Sequence, residues 1–75
     1  MALDTEHDHI FFFRDDRQQI FAVKKNENGH YYIYLWHPKG KVFSSIRQVS
    51  EVDVAEYRKR EIIGPEHDEL MRYVK

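Results

Sequence analysis

The stretch His30-Tyr31-Tyr32-Ile33-Tyr34-Leu35-Trp36 constrains this chain more than any other, because it is apolar in both registers of a β-strand. Successive strand side chains point to opposite faces, so Tyr32, Tyr34 and Trp36 share one side and Tyr31, Ile33 and Leu35 the other. Such a ribbon needs cover on both sides. The chain has 75 residues, which predicts one small domain with little stability in reserve and makes self-association or a partner unsurprising.

The flanking sequence supplies strands for this ribbon to pair with. Ile10 to Arg14 is a short β-branched and aromatic run that ends at Asp15-Asp16, residues whose side chains bond nearby backbone and favour turns. Gln18 to Lys25 alternates Ile20 and Ala22 against Gln19, Phe21 and Val23. Asn26-Glu27-Asn28-Gly29 then reads as a type I turn with a following bulge, asparagine at its first position and glycine where positive φ is needed. His37-Pro38-Lys39-Gly40-Lys41 is the next punctuation, with Gly40 available for another tight turn. Val42 to Arg47 follows as a fourth strand, or as the start of a helix if Ser45-Ile46-Arg47-Gln48 acts as a capping box.

Two helices complete the reading. The first is expected from the Ser50 cap to about Ile62, with Val52, Ala55 and Ile62 near one face and Lys59 across it. Gly64-Pro65 divides it from a second, in which His67, Leu70, Met71 and Val74 fall on one stripe. Glu66, Asp68 and Glu69 in the first turn and Arg72 and Lys75 in the last suit the helix dipole. The fold class is therefore α+β: an antiparallel three- or four-stranded β-meander followed by two short C-terminal α-helices packed on one sheet face, that of Tyr31, Ile33 and Leu35. Residues 10–75 form the domain, and residues 1–9 read as a flexible acidic leader.

With both helices on one face, Tyr32, Tyr34 and Trp36 are left on the other, with Phe21 and Val23 as cross-strand neighbours. Interface energy concentrates in buried aromatics and arginines, so Phe21, Tyr32, Tyr34 and Trp36 are the expected anchors, rimmed by Arg14, Arg17 and Arg47. The leading expectation is a small non-enzymatic protein-binding module, an inhibitor, adaptor or regulatory subunit, that engages another protein or a second copy of itself. The alternative is a nucleic-acid-binding protein that stacks bases on the same aromatic face. Lys24, Lys25, Lys39 and Lys41 would then meet phosphates. Residues 14–48 carry seven basic side chains against three acidic ones, whereas residues 1–13 hold Asp4, Glu6 and Asp8. That basic middle is well short of a dedicated nucleic-acid stripe.

Other chemistry is thinly represented. There is no cysteine, which excludes a disulfide framework and thiolate metal sites. His7-Asp8-His9 with Asp4 and Glu6 has a metal-binding composition but poor ligand spacing, and a leader that binds nothing specific is the preferred reading. His67 sits on an apolar stripe, as a packing histidine does. His30 and His37 would make the aromatic strand pH-sensitive, although exposed strand ends are the simpler account. No serine lies in a glycine-flanked elbow and no glycine-rich phosphate loop exists, so neither enzyme activity nor a cofactor is expected. No apolar run spans a bilayer and the start lacks a signal-peptide pattern, so a cytoplasmic location and no membrane partner are expected. So short a chain would also suit a viral or mobile-element origin.

Overall fold

A computed structural model describes residues 10–74. Four strands, β1 (Ile10–Arg14), β2 (Ile20–Lys25), β3 (Tyr31–His37) and β4 (Val42–Val49), form one antiparallel sheet in the order of the chain. Two helices follow, α1 (Glu51–Arg58) and α2 (Pro65–Met71). The α+β class, the antiparallel meander and the C-terminal pair of helices are those the sequence predicts, and Val42–Val49 settles as a fourth strand rather than a helix start. The acidic leader and the His7-Asp8-His9 cluster lie outside the described residues. Among the described residues no helix is long and apolar enough to cross a membrane.

The first two turns are built alike. In the second, the Asn26 side chain accepts from the backbone N–H groups of Asn28 and His30, both at 3.0 Å, and Gly29 takes φ 85°. In the first, the Asp15 carboxylate accepts from Arg17 at 3.0 Å and Gln19 at 2.8 Å, while Gln18 takes φ 68°. Gln18 thus occupies a conformation that costs a residue bearing Cβ about 1–2 kcal/mol. In the third turn positive φ falls on Lys41, at 54°, and not on Gly40.

Register sorts the side chains into two cores. Phe11 pairs with Val23 and Val23 with Ile33, placing these three on one face, while Phe12, Ala22 and Tyr34 line up on the other. On β4 the register shifts between Ile33 and Tyr34, where Ile33 pairs with Arg47 and Tyr34 with Ser45. Ile46 is the extra residue of a β-bulge. As a result Phe43 stands on the face of Trp36, its pairing partner, and Val49 on the face of Tyr31, although both are odd-numbered.

The helices divide between these faces, which corrects the expectation that both pack on one. Val54 of α1 joins Phe11, Phe13, Val23, Ile33 and Val49, and Tyr57 stacks on Phe13 with ring centroids 4.3 Å apart. Leu70 of α2 joins Ile10, Phe12 and Ala22 on the opposite side. The cause is β1, whose Ile-Phe-Phe-Phe run is apolar in both registers and buried throughout. Covering it on one side alone would leave either Phe12 or the Phe11 and Phe13 pair in water.

The chain changes sides by passing the outer edge of β1. Glu61 bridges to Phe13, and the Ile62 N–H donates to the Phe12 carbonyl at 2.7 Å, so the crossing satisfies backbone groups on that edge. Consequently α1 stops at Arg58, short of Ile62. Its phase also differs from expectation: Val54 is buried whereas Val52 is 75% exposed and Ala55 is exposed. The Ser50 hydroxyl accepts from the Asp53 N–H at 3.2 Å and so sets the helix start that gives this phase. Gly64 then begins α2 with φ 84° and ψ −153°, a region open essentially to glycine alone, followed by Pro65 in the first turn.

Candidate functional site

The aromatic face is shared with the chain's own C-terminal residues. Trp36 lies with its ring 4.7 Å from Phe43 and 5.2 Å from Tyr73, and Trp36 and Tyr34 pack on the cluster that holds Ile62 and Leu70. Both are half-buried within the molecule. Tyr32, whose cross-strand partners are Lys24 and Gln48, is also half-buried and belongs to neither core cluster. Phe21 stands on the opposite face, stacked 5.2 Å from Phe13, because it pairs with Leu35 while Ala22 pairs with Tyr34. The expected four-residue anchor set is therefore split across the sheet.

The arginines do not form one rim. Arg14 pairs with Glu66 at the start of α2, and Arg17 lies exposed in the first turn. Arg47 lies in β4 beside the bulge, on the face of Ile33 and Tyr57. The lysines separate as well. Lys25 sits over the Tyr31 ring at 5.7 Å, and Lys39 is exposed in the third turn. Lys24 and Lys41 come together on the other face.

Their meeting place is a groove of about 400 Å³ between the sheet and residues 72–74. Ile10, Ala22, Tyr34 and Phe43 supply its sheet side, and Tyr73 and Val74 close it from the C-terminal end. Lys24, Lys41 and Arg72 supply the charge, and no carboxylate is among the described residues that line it. Lys41 also lies over the Tyr73 ring at 5.9 Å, which keeps its ammonium close to the opening. Arg72 reaches Glu69 only at 3.8 Å, with both side chains mostly exposed, a pairing weak enough to exchange for a better one. In the sequence Arg72 is marked only as a cation that suits the helix dipole, and Phe43 and Tyr73 carry no site motif of their own. The signal for them was an aromatic residue at the start of β4 and another just past the last turn of α2.

The outer edge of β4 is the second open feature. Six of its eight residues are exposed, Val42 and Ile46 at 52% and 48%. No bridge like that of Glu61 to β1 closes it among the described residues. Beside the bulge, Ile46 and Arg47 border a shallower hollow of about 230 Å³ with Phe13, Phe21 and Tyr57.

Two of the histidines contact neighbouring side chains. His67 meets Phe12 edge-on at 5.3 Å, and His37 Nε2 lies 2.7 Å from the Ser44 hydroxyl. Every buried side chain among the described residues is apolar. No known family model, curated protein or solved structure matches the chain.

Proposed function

We propose that this chain is a small non-enzymatic protein-binding module, an inhibitor, adaptor or regulatory subunit working in the cytoplasm, that meets its partner along β4. The observation that carries the reading is the inequality of the sheet's two edges: β1 is buried and bonded by the Glu61–Ile62 crossing, while β4 is exposed for most of its length. An open edge strand offers unpaired N–H and C=O groups to an extended segment of another chain. Of the aromatic anchors, Trp36 and Tyr34 contribute through the side of the face nearest β4, where Phe43 adjoins them.

Comparison of two surface variants tests the reading. Ile46→Lys alters the exposed edge, whereas Val52→Lys alters a still more exposed position on α1. A partner retained by the parent chain should be lost with Ile46→Lys and kept with Val52→Lys, and β4 amides should exchange more slowly in the complex. Equal retention by both variants would sink the proposal. Sedimentation of the purified chain tells whether the partner is a second copy.

A further inference from the structure

Deepening the strand-addition reading of β4, on which it rests, we propose that the groove under residues 72–74 is the side-chain pocket for an acidic peptide segment that pairs with β4. Recognition by strand addition draws affinity from main-chain bonds and specificity from pockets for alternate side chains. The groove has the right position for that second part, since Lys41, Val42 and Phe43 belong both to its wall and to the turn and strand that begin the open edge. Its size, about 400 Å³, falls near the low end of the range for small ligand pockets and suits one or two side chains.

Chemistry selects the occupant. The Ile10, Ala22 and Phe43 side chains offer an apolar floor, and Lys41 and Arg72, both exposed, flank it with positive charge. An apolar side chain flanked by aspartate or glutamate satisfies both, whereas a basic segment would bring like charges together in a partly desolvated site. The Arg72 to Glu69 pair then exchanges an exposed intrahelical partner for one on the ligand.

The experiment titrates the isotope-labelled full chain with two blocked heptapeptides of alternating sequence, one with valine and aspartate and the other with valine and lysine. The expected result is that the acidic peptide alone shifts the amides of both β4 and residues 72–74. The double variant Lys41→Glu with Arg72→Glu, two exposed positions, should weaken it by about ten-fold or more. If both peptides shift β4 equally and leave residues 72–74 unmoved, strand addition stands and the acidic pocket is refuted. Should neither peptide shift β4, the reading beneath it fails as well.

Three further outcomes overturn the proposal by naming a different occupant. Shifts that appear on concentrating the chain without peptide would assign the groove to a second copy. Stronger, salt-sensitive shifts with a single-stranded oligonucleotide would assign it to nucleic acid. Shifts of residues 72–74 in the peptide-free Asp4→Asn, Glu6→Gln, Asp8→Asn variant, with no shift when the acidic peptide is then added, would assign the groove to the chain's own acidic segment.

Discussion

The two outer strands of this sheet occupy equivalent places and meet opposite fates. β1 reads Ile-Phe-Phe-Phe-Arg and is buried between a helix on each face, while β4 reads Val-Phe-Ser-Ser-Ile-Arg-Gln-Val and faces solvent over most of its length. Position at an edge therefore does not decide exposure. What decides it is where the C-terminal third gains most by lying down, and a five-residue strand that is apolar on both sides offers more buried surface than a longer one whose centre is polar. Strand β4 is left open because its serines, arginine and glutamine lose little by staying wet. An edge that is left open remains available to other chains.

The contrast can be broken most directly at its centre. Phe12 is completely buried, so Phe12→Ala should cost about 3–5 kcal/mol and shift the urea midpoint to the point of unfolding, whereas Ile46→Ala should stay within about 0.5 kcal/mol. Comparable losses would mean that β4 is not a free edge. Next in size, Gly64→Ala forces a Cβ into the backbone conformation that starts α2. With nothing within 4 Å of the added Cβ, the expected cost of about 1–3 kcal/mol comes from the backbone alone. Thermal unfolding would measure it, and a neutral result would mean that the start of α2 does not depend on this glycine.

Smaller effects sharpen the comparison further. Ser50→Ala removes the cap that joins the end of β4 to α1, with an expected loss of about 1 kcal/mol in chemical denaturation. Gln18→Gly relieves the left-handed residue of the turn that leads out of β1, and a gain of about 0.5 kcal/mol should remain after glycine's own entropy cost. Last, Ile46→Lys should leave stability unchanged within about 0.5 kcal/mol while still affecting binding at β4.

Much of this arrangement is legible in the residues. Alternation predicts the β3 faces correctly, Asn26 to Gly29 specifies its turn down to the glycine, and Ser50 marks the start of α1. The stripe of His67, Leu70, Met71 and Val74 does face the core, through Leu70 above all. Two things are harder to read. Residues 59–63 carry no helical or strand period, so their passage across the β1 edge has no local signature and looks like the end of a longer helix. The bulge is equally hidden, since an extra residue leaves composition untouched while moving Phe43 and Val49 to opposite faces. A signal for the division of the helices was nonetheless present. Ile10 to Phe13 is as two-faced as the aromatic strand, and two adjacent two-faced stretches call for cover above and below. Phe21 and Val23 lie on the face of Ile33 and Leu35, against expectation, because their face depends on a pairing register that composition does not give.

The extra residue at Ile46 also governs how this chain can change over generations. Lose it, and the halves of β4 fall out of step, so that either Phe43 forsakes Phe12 or Val49 forsakes Val54. A single-codon insertion or deletion between Val42 and Val49 that no second bulge absorbs therefore turns one core inside out.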